Sequence, residues 1–118
     1  MIILSYIIQD NLLLERKKNK DSTLICDILK YVDENYFEDL SIDKLSEIFG
    51  YSKGHLSRLL HKYINENWNN YLNRKRMNEF IKKRRENPNK NILDLAYEVG
   101  FNSNSTFYRT YKKENKEY

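Results

Sequence analysis

The sequence has little glycine, proline or cysteine, and each scarcity excludes a class of protein. Three glycines and one proline in 118 residues leave few turn-forming residues, so the composition favours helices over strands. Cys26 is the single cysteine, which excludes a disulfide framework within the chain, and its place on an apolar helical face predicts a buried thiol. The N-terminal apolar run stops at Gln9, too short to cross a bilayer, and lacks a basic leader; we expect a cytoplasmic protein with no membrane contact.

The residue patterns typical of enzymes and metal sites are also missing. No glycine-rich phosphate loop occurs, and no nucleophile stands beside a plausible base, so we do not expect an enzyme. His55 and His61 are the two histidines, and no third ligand lies at metal-binding spacing on their helix face. We therefore expect no metal and no cofactor, and we predict that both histidines lie on a helix surface.

The charges are segregated along the chain. The net charge is +4; the charged residues from 33 to 47 are acidic except for Lys44, those from Lys53 to Lys62 are basic, and those from 74 to 85 are basic except for Glu79. Such asymmetry suits a protein with one face on phosphates, although a solvated helix surface would explain a charge run equally well. The candidate phosphate or base contacts are Lys53, Arg58, Lys62, Arg74, Lys75, Arg76, Arg109 and Lys112.

The first 21 residues form a predicted N-terminal helical segment. A helix is expected from Met1 to Lys18, with an apolar stripe at Ile3, Ile7, Leu13 and Leu14 that lacks a partner in the chain. A polar break at 19–21 should end it, and a second amphipathic helix should begin near Ser22. The segment is either a remnant or an assembly element, so a homodimer or heterodimer through this helix is one hypothesis.

A helix-turn-helix unit is predicted next. Ser41 is a suitable N-cap for a helix with Leu45, Ile48 and Phe49 inward, and Gly50 ends that helix. Ser52 then caps a second helix that buries Leu56, Leu59, Leu60 and Tyr63. The outer face of this second helix carries Lys53, Gly54, Ser57, Arg58, His61 and Lys62.

The same pattern recurs after a long helix. Asn65 ends the first unit, and a linker helix runs from about Asn67 toward Arg85 with Trp68, Tyr71, Leu72 and Phe80 as its apolar contacts. Asn91 then caps a helix with Ile92, Leu95, Ala96 and Val99 inward; Gly100 makes the turn, and Ser103 caps a last helix with Phe107 and Tyr111 inward. The outer face of the last helix carries Asn104, Ser105, Tyr108, Arg109 and Lys112. Two such units in register are far more specific than one.

At these residues the sequence resembles the DNA-binding region of AraC/XylS-type transcription regulators. The similar segments are LSEIFGYSKGHLSRLL (45–60), WNNYLNRKR (68–76), ILDLAYEVGF (92–101) and STFYRTYKK (105–113). The resemblance implies recognition helices in successive major grooves, with base contacts at Gly54, Ser57 and Arg58 in the first unit and Asn104, Ser105, Tyr108 and Arg109 in the second. Several positions depart from the family pattern: Asn65 replaces the usual glycine, Gly54 stands where the family can have a bulky residue, and the closing Gly-x-Thr-Pro segment is absent. Phe80 also replaces a small residue, and Lys82–Arg85 stand where a leucine pair is usual, so the packing of the linker helix should differ.

These observations predict an all-α, bilobed protein. The expected boundaries are the N-terminal segment 1–21 and a DNA-binding domain 22–118, divided into a first lobe (22–65), a linker helix (67–86) and a second lobe (91–113). The predicted function is sequence-specific transcription regulation on double-stranded promoter or operator DNA, with RNA polymerase as a candidate second partner. The alternative is a shortened protein-interaction module that modulates a full-length relative without binding DNA.

Overall fold

The computed structural model describes residues 12–114, with side chains from residue 20 onward, and this part of the chain consists of six helices without strands. The helices are α1 (Leu12–Asn35), α2 (Ile42–Phe49), α3 (Lys53–Ile64), α4 (Trp68–Glu86), α5 (Ile92–Glu98) and α6 (Asn104–Glu114). The all-α prediction is confirmed, and α4 is the long helix between two helix-turn-helix units. The predicted helical contacts at Ile3 and Ile7 lie outside the described residues.

Helix α1 corrects one prediction, because it continues through the polar residues 19–21 where a break was expected. Polar side chains cost a helix only a few tenths of a kcal/mol each (about 0.7 at most), and a sharp stop needs glycine or proline, which residues 19–21 lack. The N-terminal segment and the first amphipathic helix are therefore one element from Leu12 onward.

The predicted caps and turns of the first unit are confirmed. The Ser41 and Ser52 hydroxyls each accept a hydrogen bond at 3.2 Å from a backbone N–H three residues later, at Lys44 and His55 respectively. Gly50 ends α2 in the left-handed conformation at φ 76°, and Asn65 ends α3 in the same conformation at φ 58°. These are the residue types for which that backbone conformation is least costly.

The first core joins α1, α2, α3 and the beginning of α4. Its buried members are Leu24, Ile25, Ile28, Val32, Leu40, Leu45, Leu56, Leu59, Leu60, Trp68 and Leu72. The Trp68 indole N–H donates to the Leu40 carbonyl at 2.7 Å, which satisfies a buried acceptor. We call this core with α1–α3 the first lobe.

Three residues predicted to lie in or near this core are exposed. Cys26 follows Ile25 directly, so it is turned about 100° away from the buried stripe and lies on the surface. Tyr63 is 40% exposed and Ile48 is 38% exposed, each at the edge of its helix's apolar face. The predictions of a buried thiol and of inward-facing Tyr63 and Ile48 are therefore wrong.

The second core joins the C-terminal half of α4 to α5 and α6, which we call the second lobe. Its buried members are Met77, Phe80, Leu95, Ala96, Val99, Phe101 and Phe107. The rings of Phe80 and Phe107 meet edge-on with centroids 4.9 Å apart. The large ring at position 80 thus forms part of the contact between α4 and α6. Ile92 and Tyr111, which were predicted to point inward, are each more than a third exposed.

The two lobes also contact each other away from α4. Gly100 has φ 109°, and a Cβ built on it would lie 2.8 Å from the Tyr36 carbonyl oxygen and 3.0 Å from Phe37 Cα, both in the loop after α1. Arg76 Nε donates to the Tyr36 carbonyl at 2.7 Å, and Arg76 Nη2 donates to the Glu38 carbonyl at 2.7 Å. The Tyr36 side chain itself packs against the second core. Two connections, α4 and this loop contact, therefore set the relative position of the lobes.

Candidate nucleic-acid interface

The structure places all six predicted residues of the first unit on the exposed surface of α3. These residues are Lys53, Gly54, Ser57, Arg58, His61 and Lys62. Leu56, Leu59 and Leu60 occupy the opposite face and anchor α3 in the first core. The exposed face carries three cationic side chains and no carboxylate; its nearest acid is Asp43 of α2, which lies 3.3 Å from Lys53 Nζ. Both members of that pair are more than 60% exposed, so the pair is weak and open to exchange for a phosphate.

The structure gives a reason for a glycine at position 54 that the sequence did not show. A Cβ at this position would lie 3.3 Å from Arg58 Nη1, because the Arg58 side chain runs back over the first turn of α3. A larger residue at position 54 would therefore displace the Arg58 guanidinium. Position 54 thus affects the exposed surface through its neighbour and not through a side chain of its own.

The five predicted residues of the second unit are likewise exposed on α6. They are Asn104, Ser105, Tyr108, Arg109 and Lys112. Ser103 caps the helix, since its hydroxyl accepts from the Thr106 N–H at 3.1 Å, and Phe107 anchors the opposite face in the second core. Tyr108 is 50% exposed, as predicted.

Tyr97 is a residue of this surface that the sequence analysis missed. Its hydroxyl donates to Asn104 Oδ1 at 2.8 Å, so a side chain of α5 orients the first residue of α6. This bond uses the amide oxygen of Asn104 and neither of its two N–H donors. The two residues lie on different helices, so helical periodicity in the sequence could not pair them.

Three basic residues of α4 that were predicted as candidate phosphate or base contacts bind groups of the protein itself. Arg74 pairs with Glu66, Lys75 Nζ lies 2.9 Å from Asp33 Oδ1 and 3.5 Å from Glu79 Oε2, and Arg76 is held by two carbonyls. Burial lowers the pKa of the Arg76 guanidinium. Burial also acts to lower the pKa of Lys75, but the bonds and charges of Asp33 and Glu79 outweigh it and raise that pKa. Arg74, Lys75 and Arg76 are therefore engaged in the fold, whereas the cations of α3 and α6 lie on the exposed faces of their helices.

A polar cleft of about 710 Å³ lies between the loop after α1, the first half of α4 and the second lobe. It is lined from α4 by Asn69, Asn70 and Asn73, and from the second lobe by Asn102 and Arg109. Glu38 and Asp39, in the loop after α1, line its other side. Amide side chains both donate and accept hydrogen bonds, so this surface is compatible with a wet contact between the lobes and a polar partner.

The described residues contain no cluster of three metal-ligating side chains, and none of the described helices is both long and apolar enough to cross a membrane. His55 is half-buried and stacks on Tyr51, with ring centroids 5.5 Å apart, whereas His61 is exposed. Neither histidine belongs to a group of three or more potential metal ligands among the described residues.

Two helix-turn-helix units, each with an exposed polar and basic second helix, define a DNA-binding class of protein. A family model described as "Helix-turn-helix domain" matches residues 45–117. The multiple antibiotic resistance protein MarA of Escherichia coli K12 is 38% identical over 96 residues, which cover 81% of this chain and 75% of MarA. The MarA protein of Salmonella typhimurium LT2 gives the same values.

Two more distant proteins are also similar to this chain. An uncharacterized HTH-type transcriptional regulator of Staphylococcus aureus strain COL is 34% identical over 88 residues, covering 75% of this chain but 11% of that protein. A solved structure of a Listeria innocua protein of unknown function superposes with a TM-score of 0.74 at 28% identity, covering 78% of this chain and 87% of that one. The chain belongs to the AraC/XylS-type helix-turn-helix family and is a DNA-binding transcription regulator.

Proposed function

We propose that one molecule of this regulator inserts α3 and α6 into successive major grooves on one face of double-stranded DNA. The observation that carries the proposal is that both recognition helices expose their whole predicted contact set, while Arg74, Lys75 and Arg76 of α4 are engaged internally. Helix α4 has 19 residues, so it is about 28 Å long at about 1.5 Å per residue. With the width of the lobes added, the recognition helices would lie about 34 Å apart, one turn of B-DNA.

Within each lobe the exposed side chains divide by chemistry. Arg58 and Arg109 can donate two hydrogen bonds to guanine, and Asn104 presents amide donors to an adenine. Ser57, Ser105 and Tyr108 supply single hydrogen bonds. The side chains left for the phosphates are Lys53, His61, Lys62 and Lys112. Because the two sets differ, the half-sites should differ in sequence and the whole site should not be a palindrome.

The proposal is tested by selecting bound sites from random duplexes and then altering the spacing. The expected site has two unlike halves about 10 base pairs apart. Arg58→Ala should relax the preference in one half and Arg109→Ala in the other, each at a cost of about 1–3 kcal/mol. Lys62→Ala is the matched control: a lost phosphate contact should weaken all sequences alike. Loss of preference in the same half with both arginine variants would contradict the assignment.

The spacing experiment inserts five base pairs between the selected halves, which moves one half to the opposite face of the duplex. The two connections between the lobes resist the rotation needed to follow it, so most specific affinity should be lost. Unchanged affinity would mean that the lobes bind independently. A DNA mobility-shift assay with the parent site and the inserted site also separates this proposal from a modulator that binds a relative and no DNA, since such a protein would shift neither duplex.

We further propose that the regulator acts in the cytoplasm on promoter DNA and there contacts RNA polymerase, with no enzymatic activity and no cofactor. The N-terminal segment would mediate self-association or association with a relative. This part of the proposal rests only on the apolar stripe that the sequence predicts there. Removing residues 1–18 should then lower the number of chains per particle in solution and leave the DNA contacts of α3 and α6 intact. An unchanged number of chains per particle, together with unchanged DNA affinity, would show that the segment is a remnant.

A further inference from the structure

The second lobe contains a groove that neither recognition helix uses for its predicted contacts, apart from Tyr108. It has a volume of about 460 Å³ and lies where the end of α4 meets α6 and the start of α5. We call it the second-lobe groove; its lining residues are Phe80, Ile81, Arg84, Arg85, Ile92, Phe107, Tyr108 and Tyr111. Its apolar walls are unusual for the surface of a protein whose partner is a polyanion.

The base of the groove is aromatic and well ordered by packing. Phe80 and Phe107 are almost fully buried, and the Tyr111 ring meets Phe80 edge-on with centroids 6.5 Å apart. Ile92 and Tyr108 form the sides and are 39% and 50% exposed. An apolar body of one or two rings placed here would exchange water for contacts with aromatic and aliphatic side chains on three helices.

The polar end of the groove is cationic. Arg84 and Arg85 line it, and neither guanidinium forms an ion pair with any acidic side chain of the described residues. This sets them apart from Arg74, Lys75 and Lys82 on the same helix, each of which has a carboxylate partner. Two planar guanidinium groups beside an apolar surface complement a carboxylate attached to an apolar body.

We propose that the second-lobe groove binds a small amphipathic carboxylate, with its apolar body on Phe80 and Phe107 and its carboxylate on Arg84 and Arg85. The size of the groove favours a small molecule over a protein segment. Eight residues line it, whereas a stable protein interface takes about 20–30 residues on each side. Its volume lies within the range of about 300–1,000 Å³ typical of small-molecule sites.

A ligand in the groove also contacts the DNA-binding surface. Tyr108 lines the groove and belongs to the proposed contact set of α6, so it cannot keep one orientation for both partners. Resting on the proposed function, we expect the ligand to weaken binding to the second half-site, and DNA to weaken ligand binding by the same factor. The groove would then be a site of regulation within the DNA-binding domain itself.

The first test uses the full chain without DNA and 2-naphthoate as the probe. Titration should shift the methyl NMR signals of Ile81 and Ile92 with a Kd of about 1 mM or lower. The double variant Arg84→Gln/Arg85→Gln should bind 2-naphthoate about tenfold or more weakly than the parent protein does. The neutral analogue 2-naphthamide should bind the parent protein with a similar loss of affinity. The matched control, Lys82→Gln/Lys83→Gln, removes the same charge from the same helix outside the groove and should leave the Kd within about twofold.

Three results would overturn the site: no shift at millimolar probe, equal binding of the amide, or an equal loss in the lysine control. The absence of a shift is also the result expected if a protein segment, and not a small carboxylate, occupies the groove. The second test measures DNA affinity with the groove saturated. Binding to the bipartite duplex should fall, and binding to a duplex that keeps only the first half-site should not. Ligand binding with no change in DNA affinity would refute the regulatory coupling, whereas failure to bind DNA without ligand would refute the proposed function instead.

Discussion

Substituting Gly100 by alanine should destabilise the protein through two separate effects. The first is backbone strain at φ 109°, a region that costs a residue with a Cβ about 1–2 kcal/mol. The second is crowding, because the new Cβ would lie 2.6 Å from Arg76 Nε and 2.8 Å from the Tyr36 carbonyl oxygen. Arg76 must move, and its bond to Tyr36 is lost; a hydrogen bond to a charged group contributes about 1.5–3 kcal/mol. The expected total is about 3–5 kcal/mol.

Gly50 provides a matched control in the same chain. It also has positive φ, at 76°, but a Cβ there would meet no atom within 4 Å. Gly50→Ala should therefore cost only the strain of about 1–2 kcal/mol. The two glycines occupy corresponding turns of the two units, so the difference of about 2 kcal/mol measures the crowding between the lobes and not the turn.

The assay is urea unfolding followed by two signals. Trp68 is the single tryptophan and lies in the first core, so its fluorescence reports the first lobe, whereas far-UV circular dichroism reports all helices. In Gly100→Ala the dichroism should fall at lower urea than the fluorescence, because the second lobe loses its support first. With a denaturant slope of about 1–3 kcal/mol/M, the midpoint should lie about 1 M below that of Gly50→Ala. Coincident midpoints for the two variants would refute the proposed packing of Gly100 against the first lobe.

Three further predictions concern single contacts. Trp68→Phe leaves the Leu40 carbonyl buried without its donor and should lower the free energy of unfolding by about 1–3 kcal/mol in the same urea assay; an unchanged midpoint would show that water replaces the indole. Arg76→Lys keeps the charge but cannot donate to the Tyr36 and Glu38 carbonyls together, so it should lower the free energy of unfolding by about 1–3 kcal/mol while leaving the salt dependence of DNA binding unchanged. If only about four or five cations on α3 and α6 bind phosphates, log K should fall with log salt at a slope of about −4; a slope near −7 would return the α4 cations to the interface.

Features set by neighbouring residues were predictable from the sequence. The N-caps at Ser41, Ser52 and Asn91 and the turns at Gly50 and Gly100 depend on a few consecutive residues, and the structure confirms them. Periodicity also identified most of the two cores. The errors fall where a pattern ends or is weak: α1 runs through a polar stretch, and Cys26 and Tyr63 lie just outside their buried stripes.

The partners of the α4 cations were not predictable, because they lie far away in the sequence. Arg76 donates to the carbonyl of a residue 40 positions earlier, and Lys75 pairs with Asp33, near the end of α1. A run of lysine and arginine looks alike whether it faces phosphate or carboxylate. Tertiary packing alone decides between the two, so the sequence overstated the basic surface of the linker helix.

This redistribution of charge bears on how the regulator would distinguish its site from other DNA. Cations along α4 would bind phosphates between the half-sites and add affinity for every sequence alike. With Arg74, Lys75 and Arg76 engaged in the fold, a larger share of the binding energy must come from the two recognition helices. The same contacts that remove these cations also hold the first lobe against the second, through Arg76 and the loop that meets Gly100. Specificity for the sequence of the half-sites and for their spacing would thus depend on one set of contacts, and Arg76→Lys combined with the five-base-pair insertion measures how far the two are linked: if Arg76 holds the spacing, the variant should lose less affinity on insertion than the parent protein does.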